Sequence, residues 1–212
     1  MVEIISHRGF WKETNQQNTL ASFAQSFQSG FGVETDIRDY DGMLVISHDI
    51  PKKENKLIRL DRFFELYKQS DCEVPLALNI KSDGLSLLLK EQLTKYEIQN
   101  YFVFDMSVPD MLNYLKCSLN CYTRQSEIEI TPALYNDSIG VWLDEFYSDW
   151  ITEDLIIKHI QNKKRVCIVS PELHGRSYAE EWKKYKSIFQ RNFSIDITIC
   201  TDYPAKARKF FE

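Results

Sequence analysis

The sequence predicts a mixed α/β fold, a single (β/α)8 barrel of the TIM type with a short β-ribbon after its second strand. Short apolar segments alternate with amphipathic ones along the 212 residues. Most of the apolar segments have the β-branched or aromatic composition of buried parallel strands. No linker, low-complexity stretch or internal repeat interrupts the alternation, so residues 1–212 are expected to form one domain.

The elements follow one another in a regular order. Strands are expected at residues 2–6, 32–37, 76–80, 101–104, 120–123, 139–143, 165–169 and 195–200. Helices, with apolar residues three and four apart, are expected at 19–29, 60–69, 85–96, 109–115, 152–161, 179–189 and 204–211. Thr152 has the character of a helix N-cap, and Gly30 that of a helix C-terminal stop. An open doubly wound sheet has the same periodicity, so this alternative to the barrel stays open.

The segment after the second strand departs from simple alternation. Asp41-Gly42 stands between two apolar runs, and an Asp-Gly pair in that setting is a strong hairpin signal. The chain is therefore expected to fold back as a β-ribbon. This ribbon would present His48 near the end of the second strand.

Composition limits the classes of partner. Lys and Arg number 26 against 31 Asp and Glu, and a net charge of −5 argues against nucleic-acid binding. A locally positive site could still bind a small anion. No apolar run is long enough to cross a bilayer, and the first residues lack an export signal, so a cytoplasmic location is expected. There the five scattered cysteines would be reduced thiols rather than zinc ligands.

Polar side chains cluster at the carboxyl ends of the first three strands, where parallel α/β folds carry their sites. Glu34 and Asp36 are two residues apart and share one face of the second strand. The side chains at the ends of the first and third strands are His7, Arg8, Asn79 and Lys81. Buried carboxylates need compensation, which a hard cation such as Mg²⁺ or Ca²⁺ supplies. Ion pairs of the carboxylates with Arg8 and Arg38 are the structural alternative.

Several short motifs occur in a fixed order. They are His7-Arg8-Gly9, Asn18-Thr19, Glu34-Thr35-Asp36, Asp41-Gly42, His48-Asp49, Asn79-Ile80-Lys81 and Thr201-Asp202-Tyr203-Pro204. In this order and spacing they resemble the glycerophosphodiester phosphodiesterase family. The motifs cover mainly the first 81 residues and the end of the last strand. The middle of the chain resembles the family only in its alternating pattern.

The resemblance implies a barrel enzyme that hydrolyses phosphodiesters with one divalent metal, Mg²⁺ or Ca²⁺, with Mn²⁺ as an alternative. By position, the metal ligands would be Glu34, Asp36 and Asn79. His7 and His48 would form the acid–base pair, with a modest preference for His7 as the base. Arg8 and Lys81 would bind phosphate oxygens.

Two departures from the family pattern bear on function. Asn79 stands where the family usually has a third metal-binding Glu, and an amide oxygen offers the metal less charge. Asp83 or another acid could compensate. The short stretch after His48 leaves little room for the small inserted substrate domain common in the family, so a more open rim is expected.

Later strand ends offer further candidates. Arg124 follows the fifth expected strand and Glu172 the seventh, and both are expected to contact substrate. Trp142 could pack against an alcohol or sugar moiety, with a place in the core as its alternative. His174 and Arg176 could equally belong to a solvated loop.

Three functional hypotheses remain open on the sequence. The first is hydrolysis of a small glycerophosphodiester to an alcohol and glycerol phosphate, as in lipid metabolism. The second is hydrolysis of a different phosphodiester, a polyol- or sugar-phosphate of the cell surface, by the same chemistry. The third is a barrel that binds a phosphorylated ligand with little turnover. Attack by water and attack by a neighbouring substrate hydroxyl are both compatible with the residues, and the oligomeric state is not indicated.

Overall fold

The computed structural model of this protein describes residues 2–53, 56–191 and 197–212. In these residues the chain forms ten strands and seven α-helices, which confirms the mixed α/β class. The strands are β1 (Glu3–His7), β2 (Gly32–Tyr40), β3 (Met43–Ile46), β4 (Ile58–Arg59), β5 (Leu76–Ile80), β6 (Tyr101–Phe104), β7 (Tyr122–Gln125), β8 (Gly140–Leu143), β9 (Arg165–Val169) and β10 (Ile197–Thr201). The helices are α1 (Leu20–Gln28), α2 (Leu60–Gln69), α3 (Ser86–Lys95), α4 (Val108–Lys116), α5 (Glu153–Gln161), α6 (Ala179–Arg191) and α7 (Pro204–Phe211).

The chain divides into two compact units. One comprises Ser6–Cys121, and the other comprises Met1–Ile5 together with Tyr122–Glu212. In the Ser6–Cys121 unit, β2 pairs in parallel with β5 and β5 with β6. The β2–β5 register places Asp36 opposite Asn79, so both side chains lie on the same face of the sheet.

The expected ribbon forms after β2. Strand β3 runs antiparallel to β2, and Tyr40 pairs with Met43 around the two-residue turn. Asp41 and Gly42 both have positive φ, at 51° and 74°, as a type I′ turn requires. The short strand β4 extends the ribbon by pairing with β3, and no sequence pattern predicted it because two residues show no periodicity.

Aromatic side chains pack α1 against α2. The rings of Phe23 and Phe63 lie edge to face with centroids 4.7 Å apart, and those of Phe27 and Tyr67 are 5.3 Å apart. Thr19 caps α1, because its hydroxyl accepts the backbone N–H of residue 22. This packing fixes the helix that follows the His7-Arg8-Gly9 turn.

The second unit is a parallel sheet in which β8 pairs with β7 and β9, and β9 pairs with β10. Its core includes Val141, Ile156, Ile168, Tyr185 and Ile197. Helix α5 begins after Thr152, whose hydroxyl accepts the Leu155 N–H, as the sequence predicted.

All seven predicted helices are present, with boundaries that shift by at most a few residues. The largest boundary difference among strands is at β2, which ends at Tyr40 rather than at residue 37, and the strand predicted at 120–123 is observed at Tyr122–Gln125. Residues 195–196, at the start of the last predicted strand, lie outside the described residues. The closure of eight strands into a barrel and the single domain stay predictions. Across the described residues, no helix combines the length and apolarity that a bilayer crossing demands.

Candidate active site

The end of β1 forms a tight turn whose backbone is held at several points. Arg8 and Gly9 have φ values of 55° and 90°, in the left-handed region that glycine tolerates best. A Cβ on Gly9 would lie 2.4 Å from the Ser22 hydroxyl oxygen, so the turn leaves no space for a larger residue. The Trp11 indole N–H donates to the His7 carbonyl at 2.8 Å. The turn thereby fixes the positions of His7 and Arg8.

Two buried carboxylates lie next to this turn. Glu34 is 2% exposed and Asp36 is 0% exposed, and both lie on β2. The Arg8 backbone N–H donates to Glu34 Oε2 at 3.2 Å, and His7 Nε2 is 3.9 Å from the same oxygen. Ionised carboxylates this deeply buried need positive charge nearby.

Burial, followed by the neighbouring Asp36 carboxylate, raises the pKa of Glu34 to about 7. His7, Arg8 and Lys81 act in the opposite direction but do not offset these effects. The positive charge nearby therefore offsets only part of the effect of burial on the Glu34 carboxyl.

Asp36 lies between two cations. Arg8 Nε is 3.1 Å from Asp36 Oδ2, and Lys81 Nζ is 3.4 Å from Asp36 Oδ1. Neither approach has hydrogen-bond geometry, and Asp36 Oδ1 has no hydrogen-bond partner in the described part of the chain. The sequence-based alternative of an ion pair between Asp36 and Arg8 is thus realised in part. Asp36 Oδ1 can therefore still accept a hydrogen bond or bind a cation.

Asn18 forms a hydrogen bond with the other oxygen of Asp36, Oδ2. The sequence did not predict this role. Its Nδ2 donates to Asp36 Oδ2 at 2.8 Å, and its Oδ1 accepts from the Thr35 hydroxyl at 2.8 Å. The Thr35 contact fixes the orientation of the amide, and the Asn18 backbone N–H donates to the Arg8 carbonyl at 2.9 Å. Asn18 also has a positive φ of 55°. The only sequence signal was its place in a motif.

Asn79 lies opposite Asp36 on the neighbouring strand, as the predicted set of oxygen donors requires. It is 7% exposed, and its Oδ1 is buried without a hydrogen-bond partner among the residues described. Asp36, its partner across the two strands, also has an oxygen without a hydrogen bond, and two such oxygens fit a hard cation. No cluster of three or more His, Cys, Asp or Glu suited to a metal occurs within the described ranges. The predicted set consists of two carboxylates and one amide, and its binding of a metal stays a prediction.

His48 lies just after β3 and is half exposed. Its Nδ1 is 2.9 Å from Asp49 Oδ1, and Arg38 Nε donates to the His48 carbonyl at 3.1 Å. The hydrogen bond from His48 lowers the pKa of Asp49. The structure does not show the ring in contact with Glu34 or Asp36, so its pairing with His7 stays a prediction.

Arg124 and Glu172 belong to the other unit, and both have partners there. Arg124 forms an ion pair with Glu129, and its guanidinium lies 5.9 Å from the Phe146 ring centroid. Glu172 accepts hydrogen bonds from the Ser170 and Thr201 hydroxyls and from the Asp202 N–H. Burial raises the pKa of Glu172 although these bonds oppose the shift. Their contact with substrate stays a prediction.

The same unit contains a histidine–aspartate pair. A ring nitrogen of His174, Nε2, lies 2.5 Å from Asp144 Oδ1. The His174 ring packs on Phe146 with centroids 4.5 Å apart, so this residue is ordered by contacts rather than loosely solvated. Trp142 is 4% exposed and pairs across the sheet with Arg124, which agrees with the core alternative for this side chain.

The solved structures with a similar fold include three proteins of one class, the phosphoric diester hydrolases. A candidate glycerophosphodiester phosphodiesterase from Galdieria sulphuraria matches with a TM-score of 0.81 and 20% identity, covering 100% of this chain and 98% of that chain. Glycerophosphodiester phosphodiesterase from Agrobacterium tumefaciens matches with a TM-score of 0.70 and 14% identity, covering 99% and 100%. A Ca²⁺-dependent phosphatidylinositol-specific phospholipase C from Streptomyces antibioticus matches with 0.56 and 10%, covering 100% and 96%.

These structures share the fold of this chain and support the resemblance found in its motifs. No family model and no curated protein matches the sequence. At identities of 20% and below, the shared feature is the fold, and a fold alone does not define an activity. The function therefore has to be argued from the site.

Proposed function

We propose that this protein hydrolyses a small phosphodiester with the help of one divalent cation, and that a glycerophosphodiester is its substrate. The observation that carries the proposal is a pair of buried oxygens without hydrogen-bond partners, on Asp36 and Asn79, with the cations Arg8 and Lys81 beside Asp36. The shared fold with phosphodiesterases agrees with it. The products would be an alcohol and glycerol phosphate.

The phosphate group would be bound by Arg8 and Lys81. Both side chains are about one-fifth exposed, at 21%, so they are accessible while their charges are little screened. A phosphodiester is an anion that repels nucleophiles, and these cations would neutralise its non-bridging oxygens. The guanidinium would bind two oxygens side by side, whereas the ammonium acts as a point charge.

Glu34, Asp36 and Asn79 would hold the cation. When bound, a divalent cation supplies charge that stabilises the transition state of phosphodiester cleavage. Its presence would also favour the ionised form of Glu34, whose pKa burial raises to about 7. Asn79 contributes no charge, so affinity for the cation would be lower than with a third carboxylate.

His7 and His48 would transfer the protons. His7 lies 3.9 Å from Glu34 Oε2, which would stabilise the imidazolium after it has accepted a proton from the attacking hydroxyl. His48 would hold the proton that goes to the leaving alkoxide. Its Nδ1 contact with Asp49 leaves Nε2 for that transfer.

The purified chain should hydrolyse at least one member of a panel of glycerophosphodiesters when Mg²⁺, Ca²⁺ or Mn²⁺ is added. His7→Ala should reduce turnover by about 10²-fold or more, as loss of general base catalysis does. Lys81→Met should raise KM strongly, whereas Lys90→Met, the same change at an exposed position of α3, should not. Absence of hydrolysis across the panel with all three metals would contradict the proposal.

One observation favours a second candidate, a protein that binds a phosphorylated ligand without turnover. Arg8 and Lys81 already lie 3.1 and 3.4 Å from Asp36, so cations could satisfy this carboxylate without a metal. In that case the Lys81→Met variant would lose affinity for glycerol phosphate in calorimetry, and metal would not change the affinity. Metal-dependent hydrolysis would exclude this candidate.

A further inference from the structure

The loop that follows β5 carries Lys81, one of the two cations beside Asp36. The loop begins on the sheet, because the Lys81 N–H donates to the Ile37 carbonyl at 2.9 Å. The ammonium lies 3.4 Å from Asp36 Oδ1, and this oxygen has no hydrogen-bond partner in the part of the chain that is described. Because a lysine side chain is a flexible stem, the position of the ammonium depends on how firmly the loop holds the backbone.

Two side-chain hydrogen bonds at exposed positions attach this loop to its neighbours. Ser82 Oγ donates to Asp39 Oδ1 on β2 at 3.0 Å. The Ser107 hydroxyl, just before α4, donates to Asp83 Oδ2 at 2.9 Å. Water competes for groups at exposed positions, so these two bonds alone would hold the loop weakly.

Asp110, in the first turn of α4, supplies a third and less exposed attachment. The residue is 5% exposed, and its Oδ2 accepts the Gly84 N–H at 3.0 Å. Its Oδ1 accepts from Asn113 Nδ2 at 3.0 Å, which orients the carboxylate. The N-cap of α4 is already Ser107, whose hydroxyl accepts the Asp110 N–H at 3.3 Å. The Asp110 carboxylate is therefore not needed as a cap and instead holds a loop that precedes another helix.

Resting on the proposed function, we propose that Asp110 is a positioning residue for the phosphate-binding cation Lys81. By holding Gly84, it fixes the loop at residues 81–85 and keeps the ammonium in place for the substrate phosphate. In this role Asp110 needs no contact with the substrate. Its own negative charge would oppose the binding of an anion, so a favourable effect of Asp110 has to act through the position of Lys81.

Affinity for glycerol phosphate, measured by calorimetry at a fixed Mg²⁺ concentration, tests this role. Asp110→Ala should weaken the affinity about fivefold, although removal of a negative charge would by itself favour an anion. Asp110→Asn loses the same charge but keeps an oxygen that can accept the Gly84 N–H, so its affinity should stay within about twofold of the wild type. In steady-state turnover, Asp110→Ala should raise KM and leave kcat nearly unchanged, as loss of uniform binding does.

A double-mutant cycle separates positioning from a general structural effect. In the Lys81→Met background, Asp110→Ala should change the affinity less than about twofold, because no ammonium is left to position. Ser107→Ala removes the bond to Asp83 without a change of charge, and it should show the same dependence on Lys81 even if Asp110→Ala does not fold. Asp154→Ala is the matched control, the same change in the first turn of α5, and should leave the affinity intact.

The outcomes distinguish this inference from the proposed function. Equal losses in the wild-type and Lys81→Met backgrounds, or failure of Asp110→Asn to keep the affinity, would overturn the inference. Absence of glycerol phosphate binding by the wild type would overturn it as well. Coupling between Asp110 and Lys81 without hydrolysis of any glycerophosphodiester would instead contradict the proposed function and leave the positioning role standing. Hydrolysis with an unchanged KM in Asp110→Ala would contradict the positioning role alone.

Discussion

Protonation of His159 is expected to destabilise the folded chain between pH 6.5 and about pH 4. Of the four histidines in the sequence, His159 is the one most deeply buried, at 3% exposure. Gln125 is oriented by donating to the Ile130 carbonyl, so its Oε1 accepts from His159 Nε2 at 2.9 Å. The Tyr135 hydroxyl then donates to Nδ1 at 2.8 Å. Together these two hydrogen bonds stabilise the neutral imidazole that is protonated at Nε2.

Burial, with a smaller contribution from the nearby Lys158 charge, lowers the pKa of His159 from 6.5 to about 4. The unfolded chain therefore binds a proton at a higher pH than the folded chain does. This contribution to stability is fully present above pH 6.5 and is lost as the pH falls toward 4. At about 1.4 kcal/mol per pKa unit, the loss approaches roughly 3 kcal/mol, a large share of a typical unfolding free energy.

Urea denaturation of the wild type and of His159→Gln, at a series of pH values from 7 to 4, measures this contribution. The wild type should be more stable at pH 7, and its advantage should shrink by roughly 3 kcal/mol at pH 4, because glutamine does not titrate. A constant stability difference between wild type and His159→Gln across this range would refute the reasoning.

Three further changes test the candidate site and its turn. Asn18→Ala should weaken Mg²⁺ or Ca²⁺ affinity in calorimetry about tenfold through loss of the hold on Asp36; unchanged affinity would exclude this role. Asn79→Glu should tighten the same affinity about tenfold by adding charge, and an unaltered value would place residue 79 outside the donor set. Gly9→Ala should cost more than about 2 kcal/mol in thermal unfolding, because its Cβ would meet Ser22. Gly84→Ala, also at positive φ but with open space, should cost less.

The sequence by itself determined the elements and the order of the polar residues. The predicted strands at 76–80, 101–104 and 165–169 agree with the observed boundaries, because period-two and apolar patterns are local properties of the chain. Asp41-Gly42 predicted the ribbon for the same reason, since the turn needs two residues that tolerate positive φ. The two-residue spacing of Glu34 and Asp36 likewise predicted that both side chains lie on one face of a strand.

Tertiary structure alone decided the chemical state of the site. The pairing of Asp36 with Asn79 across two strands depends on sheet register, and the hold of Asn18 on Asp36 depends on how a loop packs. The pKa of Glu34 near 7 arises from burial by residues distant in sequence. A sequence pattern records which groups can bind a proton or a cation. Only packing determines which of their oxygens lose water and still lack a partner, because desolvation and hydrogen bonding are properties of the assembled surroundings.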